Sequence, residues 1–165
     1  MGGSAGSEGP ANPVPEDLEV LQAATRVLTG VALRSLDVLD GAVTLPQFRM
    51  LAVLADLGQA RSVQVARALG LEPSTVTRLA DRLVAAGHVV RGSEPGHRGV
   101  VTLGLSGTGQ LLVDRVVVWR QQELARMLGL LPSADRVRLT AALSQLVSVA
   151  GEGYGMISRS MVPVV

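Results

Sequence analysis

Cysteine and lysine are absent from this 165-residue sequence, and aromatic residues are scarce. Without cysteine the chain has no disulfide bond, no thiolate zinc site, no iron–sulfur cluster and no cysteine-based redox sensor. Phe48, Trp119 and Tyr154 are the aromatic residues, which make up 2% of the chain. Since 47% of the residues are hydrophobic, we predict one domain with a core of leucine, valine and alanine.

Signals for export and membrane insertion are also missing. The first stretch, MGGSAGSEGPANPVPED, has neither the basic nor the apolar segment of a secretory signal peptide. Charged residues such as Asp114, Arg115 and Arg120 interrupt the apolar stretches before they reach membrane-spanning length. We therefore expect a cytoplasmic protein with no membrane partner.

Positive charge is concentrated in the middle of the chain, although the net charge is only +1. Residues 61–99 contain six arginines and three acidic residues, whereas the remainder has nine arginines and 11 acidic residues. The middle segment therefore carries +3 and the remainder −2. A local basic surface of this kind favours an anionic partner such as nucleic acid.

Hydrophobic periodicity and capping signals predict a mainly helical chain with one β-hairpin. Two runs, HVVRG and GVVTLGLS, predict strands on either side of the turn-rich SEPGHRG. The predicted helices run from Pro15 to about Leu39, from a Thr44–Gln47 capping box to Gly58, from a Ser62 cap to Gly70, from about Pro73 to Ala86, from Ser106 to about Leu128, and onward from a Ser133 cap.

The third and fourth predicted helices have the spacing of a helix-turn-helix, and the following hairpin makes the unit winged. One stripe of the fourth helix is apolar and would be buried, namely Val76, Leu79, Ala80, Leu83 and Val84. The opposite face carries Ser74, Thr75, Thr77, Arg78, Asp81 and Arg82. Small hydroxyls permit close approach to DNA, and an arginine can bind guanine in a bidentate manner. Taken singly, each of these residues is also typical of a helix cap or a solvated surface.

The hairpin supplies further cations beside that face. Arg91, His97 and Arg98 cluster around it, and an arginine on a wing can reach the DNA backbone or minor groove. Taken alone, His97 is also typical of a solvent-exposed loop histidine. The combination of helix and wing favours DNA binding more than any single residue does.

Three segments resemble the MarR family of transcriptional regulators: TLPQFRMLAVLADLG, LEPSTVTRLADRLVAAGHVVR and RGVVTLGLSGTG. The resemblance covers roughly residues 15–150 and implies an obligate homodimer that represses a pseudo-palindromic operator on double-stranded DNA. It also implies release by a small phenolic or lipophilic ligand. By resemblance, Ser74, Thr75, Thr77 and Arg78 occupy recognition positions, while Ser62 and Gln64 begin the supporting helix that touches phosphate.

The wing departs from the family pattern, which places an Asp-x-Arg pair before the second strand. Gly96-His97-Arg98 is the best match with one extra strand residue, and His97-Arg98-Gly99 is the match without it. In either alignment the aspartate is missing. The first keeps Arg98 in its family role without its anchor, and the second puts glycine there.

We predict a mainly α fold with a small β-hairpin wing, a winged helix-turn-helix core flanked by N- and C-terminal dimerisation helices. The apolar run from Leu111 to Trp119 supports a dimer independently, because it covers too much of a helix to be buried within one chain. A two-fold dimer would place its recognition helices about 34 Å apart. The predicted boundaries are a disordered tail over 1–14, a dimerisation helix within 15–43, the DNA-binding lobe at 44–105, dimerisation helices within 106–150 and a flexible tail over 151–165.

A ligand pocket is expected where the first, second and fifth helices meet. Candidate lining residues are Phe48, Met50, Trp119 and Met127, with Arg49 placed to meet an anion, although such residues are also typical of a plain core. We find no enzyme motif, no cofactor-binding motif and no metal-ligand spacing, since His88 and His97 are the two histidines. The alternative to a DNA-binding regulator is a helical dimeric module that has lost specific DNA binding.

Overall fold

The computed structural model describes residues 12–94 and 97–150; the side chains of residues 94 and 97–99 lie outside this description. The helices are α1 Pro15–Arg34, α2 Leu45–Leu57, α3 Ser62–Leu69, α4 Pro73–Ala85, α5 Gly107–Gly129 and α6 Ser133–Ala150, with a short 3-10 helix at Asp37–Leu39. The strands are β1 Ala60–Arg61, β2 Val89–Glu94 and β3 His97–Leu105. This element order confirms the mainly α fold with a winged helix-turn-helix core. The predicted tails, except residues 12–14, lie outside the described residues.

The first helix is shorter than predicted, because it ends at Arg34 and not near Leu39. The Ser35 hydroxyl donates a hydrogen bond of 2.6 Å to the Ala32 carbonyl, and such a bond competes with the helical pattern. The chain then forms the 3-10 helix and turns at Asp40, whose φ of 49° is left-handed. This break leaves Ser35 fully buried beside α5, where its hydroxyl accepts a hydrogen bond from Arg120.

Local capping starts α2 and α3. The Thr44 amide donates to Gln47 Oε1 at 2.8 Å, which confirms the predicted capping box. The predicted cap of α3 is wrong by one residue: Arg61 is the N-cap, and its amide donates to Gln64 Oε1 at 2.8 Å. Ser62 is instead the first helical residue.

The wing is a three-stranded antiparallel sheet with the order β1-β3-β2. Strand β1 was not predicted from the sequence; its two residues pair as Ala60 with Leu103 and Arg61 with Thr102. A two-residue strand is too short to produce an alternating pattern, so its signal is weak. Its pairing attaches the wing to the start of α3.

One aliphatic core joins α2, α3, α4, the sheet and α5. Its members are mostly leucine, valine and alanine, as the composition predicts. Those with at most 1% of their surface exposed include Met50, Leu51, Leu54, Val65, Val76, Leu83 and Val116. Within the described residues, no helix has the length and apolarity to cross a bilayer.

The start of α5 is tied to the corner between α4 and β2. Ser106 and Thr108 donate their hydroxyls to the Gly87 carbonyl at 2.6 and 2.7 Å, and Ser106 Oγ also accepts from the Gly109 amide. A Cβ on Gly109 would lie 2.0 Å from the His88 carbonyl oxygen, so only glycine fits this contact. These contacts fix the long helix against the winged lobe.

Candidate nucleic-acid interface

The turn between α3 and α4 is tight and depends on glycine. Gly70 ends α3 in a left-handed conformation with φ of 65°, which costs glycine little. The Leu71 amide then donates to the Ala66 carbonyl at 3.0 Å, which satisfies the end of α3. After Glu72 as N-cap, α4 begins at Pro73, whose fixed φ suits a first helical position. The pair has the geometry of a helix-turn-helix.

The two faces of α4 differ as the sequence predicts. Val76, Leu79, Ala80 and Leu83 are buried, and Val84 is half-buried. The outward residues, all exposed, are Ser74, Thr75, Thr77, Arg78, Asp81 and Arg82. The Thr77 hydroxyl donates to the Pro73 carbonyl at 3.0 Å, so its donor is used within the helix. The remaining outward side chains present hydroxyls, guanidinium groups and the Asp81 carboxylate to an approaching partner.

The start of α3 lies on the same lobe. Ser62 is half-buried and Gln64 is exposed. The Gln64 oxygen accepts the Arg61 amide, so its amide nitrogen is the other polar group that this side chain offers.

The wing strands pair in register from Val89 opposite Leu105 to Ser93 opposite Val101, and then slip by an irregularity between Ser93 and Glu94. His97 and Arg98 are the first residues of β3, at the turn end of the hairpin. Their side chains fall outside the described part of the chain, so their DNA contacts and both wing alignments remain predictions.

Arg91 has a partner that the sequence pattern does not predict. Its guanidinium forms an ion pair with the Asp81 carboxylate, which joins β2 to the outward face of α4. Both residues were visible in the sequence, but ten positions and a helix–strand corner separate them. No local periodicity predicts such a contact.

A separate cavity of about 220 Å³ lies between the first helix and the winged lobe. Its lining is mostly apolar and includes two arginines but no acidic residue: Ala32, Leu33, Leu36, Leu45, Phe48, Arg49, Ala52, Val53, Ala68, Leu69 and Arg120. Of the predicted lining residues, Phe48 and Arg49 lie here. Met50 is fully buried in the core, and Met127 is not among the lining residues. Trp119 lines a separate open groove along α5.

Arg120 is the charged cavity residue that was not predicted from the sequence. One of its terminal nitrogens donates to Ser35 Oγ at 2.8 Å, while its buried Nε has no hydrogen-bond partner. Burial lowers the pKa of the Arg120 guanidinium, because desolvation disfavours the charged form. Arg49 makes a longer bond of 3.4 Å to the Leu69 carbonyl. One feature of the sequence could have predicted a partly buried Arg120, because this arginine directly follows the apolar run that ends at Trp119.

Known proteins resemble both the sequence and the fold. The MarR family model matches residues 43–98. The HTH-type transcriptional repressor MdtR of Bacillus subtilis is 30% identical over 106 residues, which are 62% of this chain and 68% of that protein. The structure of RV1404 from Mycobacterium tuberculosis has a TM-score of 0.78 at 30% identity and covers 87% of this chain and 99% of its own.

A second similar structure concerns ligand control. It is that of Bordetella bronchiseptica BpsR, described by the regulation of its DNA binding by 6-hydroxynicotinic acid. Its TM-score is 0.54 at 25% identity, and the match covers 84% of this chain and 97% of the other. Among the described residues, no three His, Asp or Glu side chains are grouped to hold a metal ion.

Proposed function

The chain belongs to the MarR family of transcriptional regulators, and from that premise we propose that it is a homodimeric repressor of a pseudo-palindromic operator. The exposed polar face of α4 is the observation that carries this proposal. Ser74, Thr75 and Arg78 occupy its N-terminal half, where helix-turn-helix proteins read base edges in the major groove. Ser62, Gln64, Arg82, His97 and Arg98 are assigned to the surrounding backbone contacts.

Binding to DNA is tested by measuring affinity against salt concentration. Each phosphate contact releases counterions, so operator affinity should fall steeply and linearly on a logarithmic plot. Footprinting on genomic fragments should protect two half-sites about one helical turn apart. If no fragment is bound even at low salt, the proposal fails and a helical dimeric module without specific DNA binding replaces it.

The dimer is supported by apolar surface that one chain leaves uncovered. None of the 18 residues of α6 is buried. Its apolar side chains are 39–84% exposed and include Val137, Leu139, Leu143, Leu146, Val147 and Val149. Leu18, Leu21 and Leu28 of α1 are exposed as well. Contiguous apolar surface on a folded chain marks an interaction site, and a second copy of this chain supplies a matching surface by two-fold symmetry.

We assign the cavity around Arg120 to a small effector that releases the operator. Its walls come from the first helix, the lobe and α5, so an occupant contacts both the expected dimer helices and the DNA-binding unit. The Nε of Arg120 has no partner and none of the lining residues is acidic. A half-buried cation with no carboxylate among its cavity neighbours favours an anionic ligand, and the apolar walls favour a compact aromatic body.

A panel of aromatic carboxylates, with benzoate as the simplest probe, tests this assignment. Effective compounds should lower operator affinity, and matching amides should not. Arg120→Met should weaken the response to the acid, since it removes the guanidinium and keeps much of the apolar bulk. Arg138→Met on the exposed face of α6 is the matched control, with effector-free operator affinity measured for both. An equal response of Arg120→Met and the unchanged protein would contradict the assignment.

A further inference from the structure

The ion pair between Asp81 and Arg91 connects the two DNA-facing elements of the proposed regulator. Asp81 lies in the second half of α4 and Arg91 on β2. Their side chains are 56% and 48% exposed, so the pair is on the surface and open to a partner. Exposed ion pairs contribute little to the free energy of unfolding. The importance of this pair therefore lies in its location on the DNA-facing surface.

Asp81 stands in the middle of the outward face of α4. It follows Arg78 by three positions and Ser74 by seven, which places the three side chains along one line of the helix. It is also the sole acidic residue between Pro73 and Ala85. A bare carboxylate at this point would repel the phosphates that flank a major groove.

The pairing with Arg91 changes the charge that both residues present. The guanidinium cancels the Asp81 charge, and the carboxylate occupies one terminal nitrogen that Arg91 would otherwise offer to a phosphate. Arg91 was predicted to contact DNA because its position on the hairpin was known and its pairing with Asp81 was not. With the partner in place, the pair is close to neutral.

We infer that Asp81 is a specificity-determining residue that withholds Arg91 from the DNA backbone, and that Arg91 is a positioning residue acting through Asp81. The inference rests on the proposed DNA-binding function. Phosphate contacts raise affinity for all sequences alike, whereas base contacts discriminate among them. Engaging Arg91 internally therefore lowers nonspecific affinity and leaves discrimination to the residues of the outward face.

The test compares Asp81→Asn, Arg91→Gln and the double variant with the unchanged protein, on operator and on random DNA across a salt series. Asp81→Asn should raise affinity for random DNA about two- to five-fold, the range of one exposed ion pair. Its salt dependence should steepen by about one unit, because one more cation meets phosphate. The double variant should keep the slope of the unchanged protein, since it removes an already neutral pair.

Asp135→Asn is the matched control, because Asp135 forms an exposed ion pair with Arg138 on α6 at 3.2 Å, away from the winged lobe. It should leave both affinities and the slope unchanged, and thermal unfolding of all variants verifies that they fold.

Two results would overturn the inference while operator binding persists. If Asp81→Asn leaves the slope unchanged and Arg91→Gln lowers it by about one unit, Arg91 already contacts phosphate. If Asp81→Asn weakens operator binding selectively, Asp81 itself reads a base. Failure of the unchanged protein to bind any DNA would instead remove the proposed function, and this inference with it.

Discussion

The winged lobe buries many of its apolar residues, whereas the flanking helices α1 and α6 leave most of theirs exposed. Helix α2 buries five of its 13 residues: Phe48, Met50, Leu51, Ala52 and Leu54. Helix α6 buries none of its 18 residues, and α1 buries Val31 alone among 20. The lobe therefore completes its core within one chain with the help of α5, whereas α1 and α6 leave most of their apolar side chains exposed. This contrast separates the lobe, whose core is buried within one chain, from the helices α1 and α6, which are proposed to form the dimer interface.

The largest expected effect tests the proposed dimer interface on α6. Leu143→Glu combined with Leu146→Glu places two charges on the apolar face of α6 and should convert the proposed dimer to a monomer. Operator affinity should fall about 100- to 10,000-fold, the gain that linked binding sites provide. Light scattering and operator titration measure both quantities. The control Gln145→Glu adds a charge at an exposed neighbour and should change neither. A double variant that stays dimeric would contradict the assignment of this face.

The second largest effect tests the buried core of the winged lobe. Leu83→Ala removes a fully buried side chain from α4 and should lower the free energy of unfolding by about 2–5 kcal/mol. Leu130→Ala is the matched control, because Leu130 is 75% exposed. Chemical denaturation at several protein concentrations measures the change and separates it from dissociation. Equal losses at the two sites would break the contrast in burial.

The third effect concerns recognition by the lobe. Arg78→Ala should cost about 1–3 kcal/mol of operator binding if its guanidinium reads a guanine. Random DNA should lose less, so the ratio of the two affinities should fall. Arg136→Ala makes the same charge change on exposed α6 and should leave the ratio intact. Equal losses on operator and random DNA would reassign Arg78 to a phosphate contact.

The smallest effect concerns the junction of the two regions. Ser106→Ala removes the cap of α5 and a bond to the Gly87 carbonyl, and should destabilise the protein by about 1 kcal/mol. Ser144→Ala is the control, since that hydroxyl bonds the Thr140 carbonyl within its own exposed helix. Thermal unfolding measures both. A loss at Ser106 no larger than at Ser144 would show that the cap adds no stability to the junction.

Features with a local cause were predictable from the sequence. The Thr44–Gln47 box, the Gly70 turn and the buried stripe of α4 each depend on residues within one or two helical turns. Their signals are therefore present in any short window of sequence. The outward face of α4 followed from the same periodicity, because whatever is not buried on an amphipathic helix faces out.

Features with a distant cause were not predictable. Strand β1 forms because Ala60 pairs with Leu103 on β3. Ser35 is hydrogen-bonded to Arg120, which lies 85 residues later in the chain. The sequence assigned Met50 and Trp119 to a pocket by residue type, but packing directs Met50 into the core and Trp119 to another groove. Residue type alone does not specify which neighbour a side chain meets.

The sequence by itself determined the helical elements, the winged helix-turn-helix and the outward polar face of α4, because these follow from chain periodicity and short-range hydrogen bonds. Only the tertiary structure decided that Arg91 is paired with Asp81 and that Arg120 enters an apolar cavity. Both outcomes depend on how separate elements pack, since a charge is free, neutralised or desolvated according to the residues that folding brings beside it.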